Sequence, residues 1–133
     1  MKSSLNINQL SSKRSFNING YLFEYEKPLV MGILNMTPDS FYDGGKYNSI
    51  DSAISRIEGM INNGASIIDI GGCSTRPGSD IITIEEEWKR VGGIIKECSI
   101  RFKDTLFSVD TFRSEIARRS LEEGIHIIND VSG

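Results

Sequence analysis

Four short apolar runs in this chain each end on a side chain that can grip a ligand. The run at 29–34 (LVMGIL) leads into Asn35, and the run at 66–70 (SIIDI) carries Asp69 and passes into Gly71-Gly72. The run at 105–109 (TLFSV) ends at Asp110, and the run at 125–128 (IHII) ends at Asn129. Carboxylates accept hydrogen bonds, whereas carboxamides both donate and accept. Four such groups at the ends of parallel strands converge on one polar site, because parallel α/β folds bind ligands at the carboxyl ends of their strands. The competing reading is that these Asp and Asn residues cap the helices that follow. Asp69 lies inside its run and precedes two glycines, which assigns it a buried, structural hydrogen-bonding role.

Two loops follow the first two runs. The loop at 35–49 (NMTPDSFYDGGKYNS) exceeds the two to six residues usual for such a connection and carries Asp39, Asp43 and Lys46 beside Phe41 and Tyr42. Long loops on a rigid scaffold often serve as lids. The loop at 71–79 (GGCSTRPGS) sets Thr75, Arg76 and Pro77 among small residues. An arginine beyond a strand end suits phosphate or diphosphate through forked, charge-assisted hydrogen bonds; the alternative is a solvated surface arginine. From residue types and spacing alone, the chemistry is that of a polar site for an anionic small molecule.

The elements that position these groups alternate strictly. The apolar runs are rich in β-branched residues and read as strands buried on both faces, as in a parallel sheet. From Ile50, apolar positions recur at Ala53, Ile54, Ile57, Met60 and Ile61, one face of a helix stopped by Gly64. A second helix starts at Thr83 with a capping box to Glu86, its face formed by Ile84, Trp88, Val91, Ile94, Ile95 and Cys98. A third runs from about Phe112 through Ile116, Ala117 and Leu121 to Gly124. Ahead of them, Asn19-Gly20 between alternating segments predicts a hairpin over 15–27, preceded by a loosely ordered polar lead-in at 1–14. The segments NNGASIIDIGG (62–72) and EEGIHIINDVSG (122–133) share a pattern of helix end, Gly, two residues and Ile-Ile, the mark of a repeated βα unit. The fold class expected is α/β, with four parallel strands, three helices and an N-terminal hairpin. A complete (β/α)₈ barrel takes about 250 residues, so the 133 residues read as roughly its first half, one part of a single domain.

Composition narrows the function. Fifteen Lys and Arg against 18 Asp and Glu give a formal charge of −3, which offers no basic field for nucleic acid. No apolar run approaches the length of a membrane-spanning helix. The N-terminus lacks the apolar core of a secretory signal, and Cys73 and Cys98 form neither a metal pattern nor a disulfide framework. A cytoplasmic protein, with no membrane or nucleic-acid partner, is expected.

The motifs MGILNMTPDSFYDGG (31–45), IIDIGGCSTRPG (67–78), FSVDT (107–111) and HIINDVSG (126–133), in this order, resemble the N-terminal half of dihydropteroate synthases. These pterin-binding (β/α)₈ enzymes of folate biosynthesis are the target of sulfonamides. The resemblance runs from about residue 21 to the end. It implies condensation of 4-aminobenzoate with 6-hydroxymethyl-7,8-dihydropterin diphosphate to 7,8-dihydropteroate and diphosphate, with Mg²⁺ assisting, in a parent protein that forms a homodimer. Carried over by position, Asp110 and Asn129 match deep pterin-binding residues, and Asn35 matches the residue that helps hold metal and diphosphate. Thr75 and Arg76 match residues on the diphosphate side, Phe41 and Pro77 match aminobenzoate-pocket positions, and Asp39 helps order the closed loops. Catalytic weight falls on Asp39 and Arg76.

Two departures accompany the resemblance. Cys73 stands where many members carry an acidic residue. The family's second pterin-contacting aspartate, its lysine, and its C-terminal Arg and His have no counterpart in this sequence, so the chain alone is expected to be inactive. His126, early in its strand, reads as a structural histidine rather than a substitute. Two other functions fit the same elements: a pterin-dependent methyltransferase domain, and a non-catalytic half-barrel that binds ligand or self-associates through open sheet edges.

Overall fold

A computed structural model describes residues 13–37, 49–73, 78 and 81–132. It opens with a hairpin, β1 (Arg14–Ile18) and β2 (Tyr21–Tyr25). Asn19 and Gly20 both have positive φ, 51° and 85°, the requirement of a two-residue turn whose twist matches that of its strands. The Gly20 amide donates to Asn17 Oδ1 at 2.9 Å, and the Phe16 and Phe23 rings stack across the pair at 5.1 Å. Arg14 thus belongs to β1 rather than to the polar lead-in; residues 1–12 lie outside the described residues.

The remaining strands form one parallel sheet in sequence order: β3 (Met31–Asn35), β4 (Ile67–Gly71), β5 (Leu106–Asp110) and β6 (Ile127–Asn129). Helices α1 (Ser49–Asn62), α2 (Ile84–Arg101) and α3 (Ser114–Glu122) follow β3, β4 and β5. Because side chains alternate across a sheet, each strand divides its residues between two faces. Leu34, Ile68, Ile70, Phe107 and Val109 pack in a core with Ala53, Ile54 and Ile57 of α1, Val91, Ile94 and Ile95 of α2, and Ile116 of α3. The opposite face carries Met31, Ile33, Asp69, Ser108 and the strand-end polar groups, and there Ile33 is 60% exposed.

The helix stops explain the internal repeat. After α1, the Gly64 amide bonds Ile61 O and the Ala65 amide bonds Met60 O. After α3, the Gly124 amide bonds Leu121 O and the Ile125 amide bonds Ser120 O. Both are Schellman closures around a glycine with φ near 104° or 103°. In each case the next strand starts three residues on, at Ile67 and Ile127. Thr83 Oγ1 accepts from the Glu86 amide at 3.1 Å, the cap that its spacing predicts.

Some boundaries differ from the sequence pattern. β6 begins at Ile127 rather than Ile125, since the Ile125 amide is spent on closing α3. α3 begins at Ser114 because Arg113 stays extended as its N-cap. Phe112, Leu121 and Ile84, expected on buried helix faces, are exposed. Ser120 takes the inward place beside Ile116 by folding its hydroxyl back onto Ile116 O at 2.7 Å.

Candidate pterin site at the strand ends

Register brings the predicted polar residues into one row. Asn35 pairs with Gly71, Gly71 with Asp110, and Asp110 with Asn129, so all four sheet strands contribute at the same level. Gly71 clears the middle of the row. A Cβ built there would stand 3.5 Å from Asp110 Cβ, 3.6 Å from Asn35 Oδ1 and 3.8 Å from Asp110 Oδ2. The Asn35 carboxamide and the Asp110 carboxyl therefore flank one gap.

Two residues further down β4 and on the same face, Asp69 is 3% exposed, and its Oδ2 accepts from Asn129 Nδ2 at 3.2 Å. Its buried hydrogen-bonding role is thus observed. Burial, followed by the negative charges of Asp69, Glu87 and Asp130, pushes the Asp110 carboxyl above its ordinary range. A carboxyl in that state gains from donors that approach its open side, because each N–H offsets both desolvation and like-charge repulsion.

The loops that leave the row are tied from behind by a charged group that the sequence pattern did not single out. Glu87, 0% exposed, accepts from Thr111 Oγ1 at 2.8 Å and from an Arg113 nitrogen at 3.0 Å. The same guanidinium donates to Ile82 O, joining the β5–α3 turn to the segment that enters α2. Arg90 donates to Gly72 O at 3.0 Å and so holds the exit of β4. A signal for Glu87 existed: it shares the stripe of Val91, Ile94 and Cys98 at helical spacing, which placed a carboxylate on a buried face.

His126 accepts the Phe107 amide on Nδ1 at 3.0 Å, which makes it a structural histidine with its pKa lowered by burial. A shallow hollow lined by Arg56, Gly59, Met60 and Asn63 lies between α1 and the start of β3. That is the end of the sheet at which parallel folds do not place ligands. Of the predicted site residues, Asn35, Asp110 and Asn129 are brought together. Asp39, Phe41, Thr75, Arg76 and Pro77 lie outside the described residues.

Residues 31–133 match the family model described as pterin binding enzyme. The chain belongs to this pterin-binding family. Among curated pterin-binding relatives, the dihydropteroate synthase of Clostridium beijerinckii is 48% identical over 120 residues, covering 90% of this chain and 42% of that protein. The Escherichia coli dihydropteroate synthase is 48% identical over 112 residues, covering 84% of this chain and 39% of that protein. The chain thus spans about two fifths of the length of these relatives. Among solved structures of the family, the Xanthomonas albilineans dihydropteroate synthase with 4-aminobenzoic acid superposes with a TM-score of 0.82 at 38% identity, covering 90% of this chain and 44% of that one. The Burkholderia cenocepacia enzyme complexed with 7,8-dihydropteroate gives 0.73 at 36% identity, covering 88% and 38%. The four-stranded parallel sheet and its helices match part of that (β/α)₈ barrel. Among the described residues, no helix is long and apolar enough to cross a membrane.

Proposed function

We propose that this chain forms the pterin-facing part of a dihydropteroate synthase, which joins 4-aminobenzoate to 6-hydroxymethyl-7,8-dihydropterin diphosphate and releases diphosphate. The observation that carries the reading is the single row Asn35–Gly71–Asp110–Asn129, with a glycine between its polar groups, in a chain 48% identical to named dihydropteroate synthases over 112 to 120 residues.

Asp110 binds the pterin by accepting from its ring N–H and amino groups, a match for a carboxyl whose pKa burial has raised. Asn129 supplies a donor and an acceptor beside it. Thr75 and Arg76 take the diphosphate, Phe41 and Pro77 wall the aminobenzoate, and Asp39 orders the loop that closes over both. The reaction needs little proton transfer: the C–O bond to diphosphate breaks, positive charge at the pterin methylene is shared with the ring, and the arylamine attacks to form the C–N bond, its surplus proton leaving to the released diphosphate or water. Positioning and neutralisation of the departing charge carry the rate, and the closed loops exclude competing water.

Asn35 suits Mg²⁺ as one hard oxygen. Asn35 is exposed at the end of β3, with its Oδ1 on the ligand-facing side beside Gly71, and Mg²⁺ commonly takes one or two protein oxygens and completes its shell with substrate phosphates and water. Among the described residues no cluster of three acidic, His or Cys side chains offers a protein-only cage, so Asn35 would act together with the diphosphate. When bound, the ion would stabilise the leaving group's charge.

The test is an assay of the full protein that contains this chain, with both substrates and chromatographic detection of dihydropteroate. The reading predicts turnover, largely lost in Asp110→Asn through weakened pterin binding. Absence of product, with binding of methyltetrahydrofolate instead, would point to the methyltransferase function and refute it.

A further inference from the structure

We infer that Asp69 is a positioning residue of the pterin site, buried beneath the ligand-facing row to fix which way the Asn129 carboxamide faces. The inference rests on the pterin reading above and adds a residue that acts through another. A carboxamide has two ends of nearly equal size and opposite polarity, so a turn about its last bond exchanges acceptor for donor. The Asp69 carboxyl, reaching from β4 across β5, accepts from Asn129 Nδ2 at 3.2 Å. A flipped carboxamide would set two oxygens against each other, so the amide nitrogen is held inward. Asn129 then presents Oδ1 and its remaining N–H to the ligand in a fixed order, which selects the complementary order of donor and acceptor on the pterin edge.

A purely structural role fits the surroundings less well. Asp69 is 3% exposed, and its Oδ1 has no hydrogen-bond partner among the described residues. Its cross-strand neighbour Ser108, 0% exposed, also has an unpartnered Oγ. A half-satisfied buried carboxyl is a poor stabilising device. It also helps raise the pKa of Asp110, the principal pterin ligand in this reading. A carboxyl with these costs is explained by what it does to Asn129.

The experiment measures the affinity of the full protein for 6-hydroxymethylpterin in wild type, Asp69→Asn, Asn129→Ala and the double variant, alongside melting temperatures. Asp69→Asn is expected to weaken binding at least about tenfold, the scale of one charge-assisted hydrogen bond, without lowering the melting temperature. In the Asn129→Ala background the same substitution is expected to add no further loss, because Asp69 has nothing left to orient. Unchanged affinity with a lowered melting temperature would make Asp69 structural only, and multiplying effects would give it an independent role; either overturns the proposal. Failure of the wild type to bind the probe would instead refute the pterin reading on which it rests. If Asp69→Asn does not fold, the wild-type carboxamide resonances of Asn129 decide the matter. One proton shifted downfield and slow to exchange supports the orientation, and two equivalent, fast-exchanging protons overturn it.

Discussion

Gly71→Ala separates folding from function. The added methyl would meet Asp110 Cβ at 3.5 Å, Asn35 Oδ1 at 3.6 Å and Asp110 Oδ2 at 3.8 Å, all ordinary van der Waals contacts. Gly71 is also absent from the described residues with positive φ, so alanine meets no backbone strain there. The unfolded chain loses freedom on the change from glycine to alanine, which stabilises a compatible site by about 0.4–1 kcal/mol. The melting temperature is therefore expected to hold or rise slightly. The methyl, however, fills the space between Asn35 and Asp110, the two polar groups assigned to the ligand in the proposed function, and misplacement of a bound group by about 1 Å can cost a hundredfold in rate. Titration with 6-hydroxymethylpterin and thermal unfolding of the same preparation are the paired assays. Affinity at least about tenfold weaker with unimpaired melting is expected. Binding equal to wild type, or a markedly lower melting temperature, would refute the claim that this gap is the ligand's place.

Glu87→Ala should destabilise the protein by about 3 kcal/mol in denaturant titration, the lower end for breaking a buried pair, because the Arg113 side chain keeps 13% exposure. Replacing both partners with apolar residues (Glu87→Met with Arg113→Leu) should recover most of that, and equal loss in the double variant would contradict a buried-pair account. Cys98, whose thiol burial pushes up to about 12, should resist thiol reagents at pH 8 in the native protein and react once it is unfolded, as a timed labelling assay reads out. His126 has its pKa lowered from 6.5 in the fold, so the folded state binds its proton less readily than the unfolded chain does. Its contribution to stability is complete above 6.5 and is lost as pH falls below it through the folded value. Denaturation midpoints across that range should decline in wild type and decline less in His126→Gln.

Much of the candidate site was legible because it is written at strand ends, where β-branched runs stop and a polar residue follows. Asn35, Asp110 and Asn129 were readable from that rule, and parallel register then put them on one level. The two helix-end glycines were legible for the same reason: only a left-handed residue closes the turn before β4 and β6. What one sequence hides is pairing between distant segments. Asp69 read as buried, yet its partner Asn129 lies 60 residues away. Glu87 is one of three acidic residues in the first turn of α2, and its partners Thr111 and Arg113 come from the turn after β5. The buried face of α3 differs from the apolar pattern because Ser120, not Leu121, faces inward, and a hydroxyl satisfied by its own helix imitates an apolar residue.

A pterin seated on the row formed by Asn35, Gly71, Asp110 and Asn129 would perturb these residues before the rest of the fold. Isotope-edited NMR of the full protein, titrated with 6-hydroxymethylpterin, tests it most directly. Saturable shifts are expected at Gly71, Asp110 and Asn129, with little change at Arg56, Gly59 and Asn63 in the hollow beside α1. Shifts confined to that hollow, or none at the row at saturating pterin, would contradict it.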